Sequence, residues 1–180
     1  MEGIEAGAQK TKDIVSSLRI FSRVDEEDYK LTNINEGIES TLSLVKYKLT
    51  PKKKLITDLQ ELPLVECIPG KINQVFMNLF INAMQAIDEE GTITVKTRAE
   101  GKHVMIRVKD TGIGIPEKVL PHIFEPFFTT KAVGEGTGLG LSVTYGIIEQ
   151  HEGHISVNST PNVGTEFIIT LPIKSTAQSS

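Results

Sequence analysis

Four glycines stand at every second position from Gly134 to Gly140, and the chain then runs directly into an amphipathic pattern. Such a stretch holds neither a regular helix nor a regular strand, because each glycine gives up much backbone freedom on ordering. Yet Leu139, Val143 and Ile147 recur at four-residue spacing. A helix is therefore expected to open at Thr137 or Gly138 and run to about Gln150. Glycines at a helix start expose backbone N–H groups, which favours phosphate. Two phosphate loops are excluded. No Lys-Ser or Lys-Thr follows the run, as a Walker loop needs. Leu139 stands where a dinucleotide fingerprint needs its third glycine. A flexible linker is the bland alternative, but linkers do not usually lead straight into an amphipathic helix.

The rest of the chain is bounded by its bulk properties. At 180 residues it holds one globular domain and a short appendage. A net charge of −4 gives no basic footprint for nucleic acid. Cys67 is the single cysteine, so no intrachain disulfide forms and a reducing, cytoplasmic setting fits. The longest apolar stretch, Val75 to Met84, is broken by Asn78 and Asn82, so no membrane segment is expected. Three zones follow. Residues 1–26 read as one helix with Ile4, Ile14, Leu18 and Phe21 on a heptad seam. That seam can face a partner helix or pack on its own domain. The acidic stretch Asp25 to Asp28 is a plausible hinge, residues 27–173 form the domain, and 174–180 form a polar, disordered tail.

Within the domain, helices are expected over Glu36 to Leu49 and Gly70 to Ile87. The second has Ile72, Val75, Phe76, Leu79, Phe80 and Ala83 at three-four spacing. Strands are expected at Leu55–Leu59, Thr92–Thr97, His103–Lys109, Ile155–Asn158 and Thr165–Leu171. The sum is an α+β two-layer sandwich, one mixed sheet covered on one face by helices.

Two further features carry chemistry. Asn78 and Asn82 are one helical turn apart on one face, with Lys71, Gln74 and Gln85 extending it. Their amide oxygens are suitable hard ligands for magnesium, although a solvated helix face explains the spacing equally simply. Asp110 continues the alternation of Val104, Ile106 and Val108, so its carboxylate points with the core residues. A buried carboxylate needs a donor. An adenine amino group supplies one, whereas guanine presents a carbonyl there. Gly112 and Gly114 would let the backbone approach a flat ring. A strand-end Asp followed by a glycine turn is the competing reading. Between these features lies Phe124-Glu125-Pro126-Phe127-Phe128-Thr129-Thr130-Lys131, which suggests a mobile lid with an apolar anchor or, for at least one Phe, plain core packing.

In this order the residues resemble the histidine kinase catalytic domain of the gyrase, chaperone, kinase and mismatch-repair ATPase superfamily. Asn78-Leu79-Phe80-Ile81-Asn82-Ala83 matches its N box, and DTGIGIP from Asp110 its first glycine box. FEPFFTTK matches the phenylalanine box, GEGTGLGLS the second glycine box, and Gly164-Thr165-Glu166-Phe167 the final strand. The resemblance covers about Asn33 to Pro172.

It implies a Bergerat-type fold that binds ATP with Mg2+ under a lid from about Phe124 to Gly136. Asn82 would ligand the magnesium, with Asn78 near the same ion or the phosphates. Asp110 would select adenine, with Gly112, Gly114, Ile115 and Thr165 about the ring. Lys131, Gly136 and the backbone of Thr137, Gly138, Leu139 and Gly140 would hold the phosphates. Hydrolytic members carry a Glu at the position of Asn78, and an amide cannot serve as that base. The site is therefore expected to present the γ-phosphate to another acceptor.

Thr11 to Arg23 resembles the second helix of the family's dimerisation and phosphotransfer domain. The implied partners are a helical phosphotransfer domain carrying the acceptor His, a response regulator receiver domain, and a second copy of the full-length protein. His103, His122, His151 and His154 all lie in the catalytic domain and are expected to be surface or structural. The acceptor is thus expected outside this chain. Two other classes remain. A mismatch-repair or gyrase-type ATPase would need the Glu and a following domain, and a non-catalytic interaction module would not bind nucleotide.

Overall fold

The computed structural model describes residues 28–46, 49–130 and 137–174. The expected N-terminal helix, the hinge as far as Glu27 and the tail from residue 175 lie outside the described residues.

The chain begins with β1 (Lys30–Thr32) and α1 (Ile34–Val45), continues through β2 (Lys53–Leu59) and β3 (Val65–Cys67), and then forms α2 (Pro69–Ala86). After it come β4 (Gly91–Glu100), β5 (His103–Asp110), a 3-10 turn (Leu120–His122), α3 (Gly140–Gln150), β6 (His154–Thr160) and β7 (Gly164–Pro172). The main sheet has the order β2-β4-β5-β7-β6. Only β2 and β4 run parallel, and α2 lies within the crossover that joins them.

Alternation along the strands explains the layers. Ile93, Val95, Val104, Ile106, Val108, Phe167, Ile169 and Leu171 are all buried. The intervening residues make the open face, where Lys96 pairs with Asp58 (3.4 Å) and Arg107 with Glu166 (3.7 Å). The helices cover the apolar face. α2 packs on β5 and β7, and α1 and α3 flank it. Eight of its residues are buried, Gln74 among them, more than a surface stripe needs, because it meets protein on several sides. Phe76 and Phe80 stack within this core, with ring centroids 6.2 Å apart. Truncating either to Ala would cost about 3–5 kcal/mol.

The expected strands are all present and slightly longer than expected. Three differences have physical causes. α1 starts at Ile34 because Asn33 caps it, its side chain accepting from Asn35 N–H (3.1 Å) and Glu36 N–H (3.4 Å). α3 starts at Gly140, not at Thr137 or Gly138, because Gly138 is left-handed (φ 65°) and the helical dihedrals begin only after it. A second, two-stranded sheet joins β1 to β3, pairing Leu31 with Glu66. Three-residue strands are too short to show a period in sequence.

Candidate nucleotide site

The site is built where β5, β7 and the C-terminal half of α2 converge. Asp110 ends β5 on its buried parity and is 3% exposed. Its Oδ1 accepts from Gly112 N–H (2.8 Å) and from Thr165 N–H (3.3 Å). Oδ2 has no hydrogen-bond partner among the described residues and is not sealed from solvent. Burial pushes the carboxyl above the usual carboxylate range, and the two backbone donors pull it partly back. One oxygen is thus fixed by the scaffold, and the other is open to an external donor.

Glycines make this convergence possible, for a reason that differs from the flat-ring expectation. A Cβ on Gly112 would lie 2.2 Å from the Ala86 carbonyl oxygen at the end of α2. On Gly114 (φ 69°) it would lie 2.1 Å from Thr160 O, and on Gly164 (φ 135°) 2.0 Å from Asp110 O. The close approaches are to the protein's own backbone. Gly164 in particular lets β7 start against the end of β5, which brings Thr165 N–H to the carboxylate.

The C-terminus of α2 is pinned as well. Lys53 Nζ donates to Met84 O (3.1 Å) and Ile87 O (2.6 Å), and Ile113 N–H donates to Ala86 O (2.9 Å). This fixes the height of Asn78 and Asn82. Asn78 Nδ2 donates to Gly140 O (3.0 Å) and Thr144 Oγ1 (3.3 Å), so its nitrogen is spent on the start of α3. Its carbonyl oxygen has no partner among the described residues. Asn82, half-buried one turn on, makes no side-chain hydrogen bond among the described residues. Two neutral amide oxygens, with no cluster of three His, Cys, Asp or Glu among the described residues, suit a cation held chiefly by phosphates and water.

At the glycine run, Leu139 N–H donates to Thr137 Oγ1 (3.4 Å) and α3 begins at Gly140. A Cβ on Gly138 would meet the Phe127 carbonyl carbon at 2.4 Å. Phe127 is itself left-handed (φ 65°) and 75% exposed. Phe124 packs inward, its ring 5.4 Å from Tyr145 and 6.5 Å from Phe167, which fits core packing and an apolar anchor alike. Lys131, Gly134 and Gly136, and with them much of the expected lid, lie outside the described residues.

Two polar residues carry structure whose partners the sequence reading did not give, and the first of them, Ser159, it did not single out at all. Ser159 Oγ accepts from Ile115 N–H (2.8 Å) and lies 2.8 Å from Thr165 Oγ1 and 3.0 Å from Gly164 O. Its only sequence signal is its place across a short turn from Thr165. His151 is buried at the end of α3. Its Nε2 accepts from Ile68 N–H (3.0 Å), and Nδ1 donates to Ile147 O (2.7 Å). It thereby satisfies the backbone N–H of Ile68, the residue that precedes α2 and whose apolar side chain makes no capping bond. The structural expectation for His151 holds, and His103, His122 and His154 are exposed.

Comparison with known proteins bears on the family and the fold. Residues 68–175 match the family described as histidine kinase-, DNA gyrase B- and HSP90-like ATPase. Sporulation kinase E of Bacillus subtilis (strain 168) is 34% identical over 97% of this chain, and the match spans 24% of that protein. Sensor histidine kinase ZraS of Escherichia coli (strain K12) is 37% identical over 94% of this chain and 36% of its own length. This chain thus spans roughly a quarter to a third of these relatives. The solved catalytic domain of histidine kinase ThkA superposes with a TM-score of 0.74 at 34% identity, over 81% of this chain and 96% of that one. The chain belongs to the histidine kinase-, DNA gyrase B- and HSP90-like ATPase family, and within it to the catalytic domains of sensor histidine kinases.

Proposed function

We propose that this chain binds ATP with Mg2+ and hands the γ-phosphate to a histidine on a helical phosphotransfer domain, for onward transfer to a response regulator receiver domain. The observation that carries the nucleotide part is Asp110, a buried carboxylate with one oxygen held by two backbone donors and the other unpartnered. Oδ2 accepts from the adenine amino group, and a guanine carbonyl there is repelled. Ile115 and Thr165 flank the ring. Asn82 and the carbonyl oxygen of Asn78 face the magnesium, which neutralises phosphate charge when bound. Lys131, Gly136 and the backbone from Thr137 to Gly140 hold the phosphates.

Asn78 also argues against a hydrolase. A water-activating base must be able to take a proton, and an amide whose nitrogen is committed to Gly140 and Thr144 cannot. Transfer instead depends on bringing an acceptor in line with the γ-phosphate. In this reading residues 1–26 belong to the phosphotransfer helical domain, the full-length protein works as a homodimer, and this part acts in the cytoplasm. Among the described residues no helix is long and apolar enough to cross a membrane.

The test is to incubate the chain with labelled ATP, magnesium and a His-bearing helical hairpin from a relative. Acid-labile phosphate should appear on the hairpin and on none of His103, His122, His151 or His154. Multiple-turnover release of free phosphate without transfer would replace the kinase reading with a hydrolase. A folded chain with no nucleotide affinity would replace it with an interaction module.

A further inference from the structure

We propose that Ser159 is a positioning residue of the adenine subsite, which sets the direction in which Thr165 offers its hydroxyl proton. This rests on the ATP-binding reading above.

The register of the β6–β7 hairpin places Ser159 directly opposite Thr165. The tip of this hairpin is joined to the loop after Asp110 at three points. Ile115 N–H donates to Ser159 Oγ (2.8 Å), Asn162 N–H donates to Ile113 O (2.7 Å), and Gly114 lies flat against Thr160 O. The hairpin and the glycine loop are therefore one unit, and Ser159 is the side chain that joins them.

Proton accounting then restricts the pair. A hydroxyl has one proton and two lone pairs. Ile115 N–H occupies one lone pair of Ser159. The Ser159 proton can go to Gly164 O (3.0 Å) or to Thr165 Oγ1 (2.8 Å), and in the second contact either oxygen can be the donor. If Ser159 donates to Gly164 O, Thr165 must donate to Ser159 to keep their contact. Thr165 then shows only lone pairs to a ligand. If Ser159 donates to Thr165, the Thr165 proton is released toward the ligand.

Adenine selects the second arrangement. Thr165 sits beside Asp110, joined through its own N–H to Oδ1 (3.3 Å). The ring nitrogens that flank the adenine amino group are acceptors and need a donor beside the carboxylate. Thr165 is that donor, directly or through one water, when Ser159 donates to it. Ser159 touches no ligand in this scheme and acts through Thr165 and Ile115.

The full chain, in wild-type, Ser159→Ala, Ser159→Thr and Thr165→Val forms, should be titrated with ATP, 1-deaza-ATP and 7-deaza-ATP. Each deaza analogue replaces one flanking nitrogen by C–H. Wild type should bind one analogue about three- to ten-fold more weakly than ATP, the size of one neutral hydrogen bond. Ser159→Ala and Thr165→Val should each lose that preference, and the double variant should lose nothing further. Ser159→Thr, which keeps the hydroxyl, should keep it. An unchanged preference in Ser159→Ala, even with weaker binding of all three nucleotides, would show a purely structural role and overturn the proposal. So would a wild type that binds all three equally, or a Ser159→Thr that behaves like the alanine variant. A folded wild type that binds none of them would instead defeat the ATP reading itself.

Discussion

The two ends of the candidate site are built from different materials. At the Asp110 end, strand termini and backbone groups do the holding. Asp110 Oδ1 takes two backbone N–H groups, Ser159 takes a third, and three glycines let the segments touch. At the Asn82 end, side chains on α2 face the start of α3. One of them is tied down through its nitrogen, and the other makes no side-chain hydrogen bond among the described residues. In the proposed function the first end discriminates, and discrimination needs a polar group whose position is set before the ligand arrives. The second end there only has to help neutralise charge, and amides that are less firmly held can adjust to the octahedral geometry that magnesium and its waters demand.

The sharpest test of this contrast is Gly164→Ala. The added methyl would sit 2.0 Å from Asp110 O at a φ of 135°, where non-glycine residues are strained. We expect a loss of about 3 kcal/mol or more in chemical denaturation and no measurable ATP binding. Near-normal affinity would mean that the backbone does not hold this end.

Asp110→Asn should follow in size. Affinity for ATP should fall roughly ten- to hundred-fold, the value of a hydrogen bond to a charged group, and calorimetry should find the same loss with and without magnesium. Burial raises this carboxyl, so the native state holds its proton to higher pH than the unfolded chain does. Its charge therefore costs stability as pH rises from the ordinary value of 3.8 through the raised one. The variant should melt higher than wild type at neutral pH. A lower melting temperature would show that the charge stabilises the empty fold.

Asn82→Ala should cost about ten-fold in affinity, on the scale of a single polar contact, and only when magnesium is present. An equal loss without magnesium would give Asn82 a structural duty and erase the contrast.

His151 lies outside both ends and serves as the smallest test. Burial holds its pKa below the usual 6.5, with Lys71 and Lys174 acting in the same direction and the bond to Ile147 O opposing them. Its neutral form accepts from Ile68 N–H, so its contribution is fully present above the unfolded value. That contribution is lost as pH falls from about 6.5 toward the lowered folded value. Melting temperature should decline over that range in wild type and less so in His151→Phe, which starts lower by about 1–3 kcal/mol for the unsatisfied N–H. Parallel pH profiles would remove His151 from the account.

Much of this was legible in the residues alone. Alternation through Val104, Ile106 and Val108 placed Asp110 on the buried face of its strand, because a strand's period of two cannot be escaped over eight residues. Three-four spacing placed α2, and with it put Asn78 and Asn82 on one side. These are local properties, fixed by chain geometry and by the preference of apolar side chains for the core. The partners of those residues were decided only by the tertiary structure. Ser159 looks no different from Ser156 in sequence, and only the β6–β7 register sets it against Thr165. Gly112 and Gly114 read as room for a ring, and only the fold shows that Ala86 and Thr160 also stand against them. His151 accepts from the N–H of Ile68, 83 residues before it in the chain, where α2 is about to begin. Such contacts join segments whose approach is set by how whole layers pack, and no short-range period records which distant backbone group a side chain will meet.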